Sequence, residues 1–251
     1  MRGRAAQPLC PSRRPSRPRP SRQPPVTVVG TAPDTGTVVT VTGDDFEGEE
    51  TVDLWDRRLH IVTGKGGTGK TTVAGALAVA LATGGRRVLL AEVEGRQQIA
   101  QLFDTPPLPY QERKVASAPG GGEVFALAID AHEALLEYLE MFYNLRRAGQ
   151  ALDKIGAIDF ATTIAPGVRD VLLTGKVKEA VNRPDAARPA GLAYDAVVLD
   201  APPTGRIARF LGVTAEVAGL AKMGPIRAQA DSVRAVLRPD RAAVHVVTLL
   251  E

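Results

Sequence analysis

Five short, nearly continuous apolar runs punctuate the chain: LHIVT at 59–63, RVLLAEV at 87–93, VFALAI at 124–129, DAVVLD at 195–200 and AAVHVVTLL at 242–250. Runs of this length without polar alternation suit strands buried on both faces of a parallel sheet. Segments of helical period separate them. Val73, Leu77, Ala80 and Leu81 recur at that spacing in an alanine-rich stretch closed by Gly84-Gly85; Leu135, Leu136, Leu139 and Phe142 do so further on. Strand alternating with helix predicts a doubly wound, mainly parallel α/β domain over 58–251. The span from about 104 to 190 is richer in helix than a sheet crossover needs, and reads as a helical insertion beside the sheet. The last apolar run has no covering helix after it, so the domain reads as truncated at its C-terminus.

Residues 1–57 have a different texture. RRPSRPRPSRQPP is low-complexity Arg/Pro/Ser sequence that cannot bury a core, and predicts a disordered basic tail. Two β-branched runs flank a Pro-Asp-Thr-Gly turn signal at 26–42 and are able to pair as a hairpin. GDDFEGEE then reads as a solvated acidic linker. The tail also explains the charge. The whole chain is formally +3, but residues 1–33 hold seven arginines and no acidic residue, which leaves −4 for the rest. The folded part therefore makes no electrostatic case for nucleic acid.

Composition removes other classes. No apolar run reaches the roughly 18 residues of a membrane span. Cys10 is the only cysteine, so neither an internal disulfide nor a multi-cysteine metal site is possible. His60, His132 and His245 share no ligand spacing. These features predict a cytoplasmic protein.

The chemistry concentrates in TGKGGTGKTT. Gly64-Lys65-Gly66-Gly67-Thr68-Gly69-Lys70-Thr71 fits G-x-x-x-x-G-K-[ST] in full, after a strand and before a helix. Its glycines permit backbone conformations that let N–H groups converge on phosphate oxygens. The helix starting near Lys70 aims its positive end at the same anion. Lys70 is placed for the β- and γ-phosphates, the Thr71 hydroxyl for Mg²⁺, and Thr72 for an α-phosphate. Lys65 is surplus to that set. It is either a solvated loop charge or a cation acting on nucleotide held by a second subunit. In the second role it resembles an arginine finger, worth roughly 10³–10⁵ in rate.

KGGTGKTT resembles the deviant phosphate loop of the superfamily that holds the ArsA-type anion-pump ATPases, the tail-anchored-protein targeting ATPases and the ParA/MinD partitioning ATPases. The resemblance implies that Lys65 reaches across a nucleotide-sandwich dimer. YDAVVLDAPPTGRIARFL at 194–211 is similar to the ArsA pattern of strand, D-T-A-P-T-G-H and helix. It implies that Asp200 holds Mg²⁺ through water, and that the loop with Pro203 and Gly205 meets the γ-phosphate. VLLAEVEGRQQIAQLF at 88–103 resembles the family's V-L-L-x-S-T-D-P-A-H-N-L. Glu94 falls on the aspartate that activates water, one methylene longer, and Gly95 on the proline; Glu92 is the lesser alternative. Arg206 stands where the family has histidine. IAPGVRDVLLTGKVKEAV at 164–181 resembles a helical P-G-I-D-E-A stretch.

The resemblance covers about residues 58–251 and implies an ArsA-like ATPase that uses ATP and Mg²⁺ to drive a dimeric switch. The partner is an identical or a paralogous subunit, and an unidentified protein client is expected. Leu135, Leu136, Leu139, Met141 and Phe142 are either core or the lining of a client groove. Metalloid handling in such pumps depends on cysteines, which disfavours arsenite here. Two alternatives stand: a ParA/MinD-type positioning ATPase, and a nucleotide-dependent binding switch that barely hydrolyses. The family's adenine-contacting segment is expected after Glu251.

Overall fold

The computed structural model describes residues 27–32, 35–40, 54–93, 95–143, 166–188, 191–220, 232–238 and 240–249 of the chain. The two β-branched runs near the N-terminus form β1 (Thr27–Ala32) and β2 (Thr35–Thr40), an antiparallel pair in register from Thr27 opposite Thr40 to Ala32 opposite Thr35.

The five internal apolar runs are all strands of one sheet. It contains β3 (Leu59–Gly64), β4 (Arg87–Val93), β5 (Arg113–Ala118), β6 (Gly122–Ile129), β7 (Ala196–Asp200) and β8 (Ala242–Val247), in the spatial order β5-β6-β4-β7-β3-β8. Every pairing is parallel except that of β5 with β6. Among the described residues the helices α1 (Lys70–Ala82), α2 (Gln98–Leu102), α3 (Ala131–Tyr143), α4 (Pro166–Asn182) and α5 (Thr204–Leu220) accompany the sheet.

Burial explains why those runs carry no polar alternation. On one face Leu59, Ile61, Leu89 and Leu199 pack with Leu173 and Val177 of α4 and Phe210 of α5. On the other, Val62, Leu90 and Val198 pack with Ala74, Ala78 and Leu81 of α1. Fully burying one such aliphatic side chain is worth about 1.5–3 kcal/mol. The core therefore outweighs local propensity in α1, whose Gly75 lies buried in the helix interior.

The described part of the span from 104 to 190 combines strands with helices. It opens with the antiparallel hairpin β5–β6 and continues through α3 and α4. Ion pairs join these pieces. Lys176 of α4 lies 2.8 Å from Glu137 of α3, which also accepts a hydrogen bond from the Tyr110 hydroxyl at 2.8 Å. Arg183 pairs with Glu179 at 2.6 Å and with Glu112, just before β5. In the suggested client groove, Leu135 and Leu136 are half-buried, while the side chains of Leu139, Met141 and Phe142 lie outside the described residues.

Candidate functional site

The middle strands of the parallel sheet end together, and their following loops converge. Val62 of β3 is in register with Asp200 of β7, and Asp200 with Glu92 of β4. Residues in register on parallel strands share a face, so all three point toward the α1 side.

The loop between β3 and α1 is built by its glycines, for two different reasons. Gly67 and Gly69 have φ of 82° and 80°, the left-handed region that side chains disfavour. Gly64 instead permits close packing, since a Cβ there would lie 2.2 Å from the Val247 carbonyl oxygen of β8. At Gly66 a Cβ would meet nothing within 4 Å. The Thr68 hydroxyl donates to the Lys65 carbonyl at 2.9 Å, and Lys70 Nζ reaches back to the same oxygen at 3.2 Å. Gly69 caps α1 without a side-chain hydrogen bond, which leaves the first amides of α1 to another acceptor. The side chain of Lys65 and residue Thr72 are exposed.

The loop after β7 closes over this turn. Ala201 N–H donates to the Val62 carbonyl at 2.9 Å, and the Thr63 hydroxyl donates to the Pro202 carbonyl at 2.7 Å. The Pro203 carbonyl accepts from the amides of Arg206 and Ile207, which starts α5. Gly205 is exposed, and a Cβ there would meet nothing within 4 Å. Arg206, in the first turn of α5, lies 4.0 Å from the buried Asp170 of α4.

Asp200 and Thr71 meet directly: the Thr71 hydroxyl is 2.5 Å from Asp200 Oδ2. Burial pushes the Asp200 carboxyl above the usual range, and the Thr71 hydrogen bond and the Lys70 charge pull it partly back.

Glu94 lies outside the described residues. Glu92 is only 2% exposed, and its two oxygens accept the amides of Gln97 at 2.7 Å and Ile99 at 3.1 Å. It is therefore spent on holding the start of α2. Gln97 adds a second tie, exchanging side-chain hydrogen bonds with the backbone of Leu108. A residue that sequence reasoning missed stands between them: Gln98 places Oε1 2.9 Å from the Thr71 hydroxyl. An amide at the start of a short helix carries no spacing signal.

The donor set fits a magnesium nucleotide. A hydroxyl and a carboxylate are hard oxygen ligands, and magnesium takes its other ligands from water and phosphate. The uncapped amides of α1 and the Lys70 ammonium suit the phosphates.

Comparison with known proteins agrees with this geometry. The sequence profile of the family described as anion-transporting ATPase matches residues 57–242. The chain belongs to the anion-transporting ATPase family. Among family relatives, the ATPase BagA of Mycobacterium tuberculosis is 66% identical over 194 residues, covering 77% of this chain and 56% of its own length. A putative arsenical pump-driving ATPase of Halobacterium salinarum is 29% identical over 198 residues, 74% of this chain and 28% of that protein. The ATPase GET3 of Podospora anserina is 29% identical over 159 residues, 61% and 42% of the two chains. The chain thus spans little more than half the length of its mycobacterial relative. Among the described residues no helix of this family member is long and apolar enough to cross a membrane.

Proposed function

We propose that the chain binds and hydrolyses ATP with magnesium, and that this drives a switch between two associated subunits. The observation that carries the reading is the 2.5 Å contact between Thr71 and Asp200, 129 residues apart in sequence. It brings the phosphate loop and the strand-end carboxylate into one site. The metal, when bound, neutralises charge on the β- and γ-phosphates. Thr71 would hold it directly and Asp200 through water. The amides of residues 66–72 hold the phosphates, and Lys70 leaves the Lys65 carbonyl to join them. The exposed Gly205 leaves space for a γ-phosphate at the start of α5. Glu94 is assigned as the base that accepts a proton from the attacking water.

Lys65 is assigned to the nucleotide of the neighbouring subunit, either a second copy or a paralogue. Its side chain points into solvent while Lys70 serves its own loop, which supports a role outside its own protomer. The protein client is unidentified. The lone Cys10 disfavours the arsenical substrate in the name of the Halobacterium relative.

The test is phosphate release from Mg-ATP. Lys70→Ala is expected to abolish it. Lys65→Ala is expected to keep ATP binding and lose the dependence of turnover on protein concentration; normal hydrolysis by that variant overturns the cross-subunit role. A second reading, a binding switch with little turnover, rests on Glu94 standing where the family has aspartate. The extra methylene displaces the carboxylate by about 1 Å, enough for a loss of about 10²-fold. Tight ATP binding without phosphate release would favour it.

A further inference from the structure

We propose that Gln98 is a positioning residue for the metal ligand Thr71, fixing the hydroxyl so that one lone pair stays open to a divalent cation. The inference rests on the assignment of this loop to a magnesium nucleotide.

The Thr71 hydroxyl has one proton and two lone pairs. Among the described residues, two side chains lie within hydrogen-bonding distance of it: Asp200 Oδ2 at 2.5 Å and the Gln98 amide, placed with Oε1 at 2.9 Å. The carboxylate is nearer and is the stronger acceptor, so it takes the proton. An amide oxygen of Gln98 would then face a lone pair across 2.9 Å, which repels. The amide nitrogen and oxygen are interchangeable by a half-turn, and the hydrogen-bond network decides between them. This network calls for Nε2 toward Thr71, donating to one lone pair. The hydroxyl is then held at two corners, and its second lone pair is the open one.

The backbone beneath Gln98 is set for that task. Glu92 fixes the amides on both sides, at Gln97 and Ile99, from a buried site on β4. The Gln97 side chain is bonded at both ends to Leu108, and Gln97 itself sits at φ 55°, so the turn into α2 is constrained. A glutamine held this way approaches Thr71 from a fixed direction. Gln98 is exposed.

The test measures cation affinity apart from turnover. Mn²⁺ serves as the probe, followed by electron paramagnetic resonance on the protein saturated with a non-hydrolysable ATP analogue. Calorimetry with the analogue in EDTA gives the metal-free nucleotide affinity. Gln98→Leu keeps size and removes the donor. It is expected to weaken Mn²⁺ about five- to tenfold while metal-free nucleotide affinity stays within twofold. Gln98→Asn retains an amide on a shorter stem and is expected to fall between, which keeps the test sound if the leucine variant fails to fold. Equal Mn²⁺ affinity in wild type and variants overturns the positioning role, and so does a parallel loss of both affinities. No analogue binding by the wild type, with or without metal, instead defeats the nucleotide assignment beneath it.

Discussion

Glu92 and Asp200 stand side by side, in register on adjacent strands and both buried, yet they serve different ends. Glu92 gives both oxygens to backbone amides at the start of α2, whereas Asp200 faces the Thr71 hydroxyl. Glu92→Gln is expected to turn an NH₂ toward a backbone N–H and to cost about 1.5–3 kcal/mol. Relief of charge repulsion with Asp200 offsets only part of it. Urea unfolding reads the change as a lower midpoint at unchanged slope. An unchanged midpoint would mean that α2 is held by other contacts.

Asp200→Asn is expected to move stability and metal binding in opposite directions. Burial raises the Asp200 carboxyl, so the folded protein holds that proton more tightly than the unfolded chain. Stability contributed by the neutral form is lost as pH rises from the unfolded carboxylate value through the folded one. Burial penalises the ionised form, and the amide removes that penalty. The nucleotide-free variant should melt higher than wild type at pH 7, with the gap closing in acid. Its metal affinity should fall roughly 10- to 100-fold. A lower melting temperature at pH 7 would contradict the burial argument.

Gly64 and Gly66 sit in one turn and separate two roles. Gly64→Ala drives a methyl group to 2.2 Å from the Val247 carbonyl, so β3 and β8 must part; about 1–3 kcal/mol should be lost. Gly66→Ala meets nothing and should melt with the wild type, yet bind nucleotide more weakly if phosphates approach that backbone. Thermal unfolding and calorimetry on the pair check both halves. Equal melting of the two variants would refute the packing role of Gly64.

His60 and His245 predict an acid limit. Their Nδ1 and Nε2 atoms are 3.1 Å apart and their rings nearly parallel at 17°, between β3 and β8. Burial, then the neighbouring His245, lowers His60 to about 4, and burial lowers His245 too. A base with a depressed folded value stays neutral while the unfolded chain takes up protons. Stability should be complete above about pH 6.5 and decline from there toward pH 4, by a few kcal/mol. His60→Asn is expected to flatten that slope in urea titrations at several pH values; an unaltered slope would locate it elsewhere.

How much of this could be read from the residues differs by element. β3, β4, β6, β7 and β8 announce themselves because burial on both faces leaves an unbroken apolar run. β5 does not. RKVASA is short, charged at its start and half-exposed, and pairing with β6 rather than its own pattern makes it a strand. Lys70 and Thr71 stand out by motif spacing and Asp200 by the ArsA resemblance, and the structure brings Thr71 and Asp200 into contact. Gln98 does not stand out, because its contact with Thr71 follows from β3 and β4 ending in one place, which no local window contains; Glu92 anchors amides only five and seven residues on, but a carboxylate bonded to backbone carries no spacing signal. Gly64 was read for its phosphate, while its contact with β8 depends on a strand nearly two hundred residues away.

The ion pairs among Glu112, Glu137, Lys176, Glu179 and Arg183 tie together α3, α4 and the approach to β5. Arg206, in the first turn of α5 just behind β7, lies 4.0 Å from Asp170 of α4. Whatever loads the turn behind β7 therefore meets α4 at two kinds of contact, this charged one and the apolar seat of Phe210 beside Leu173.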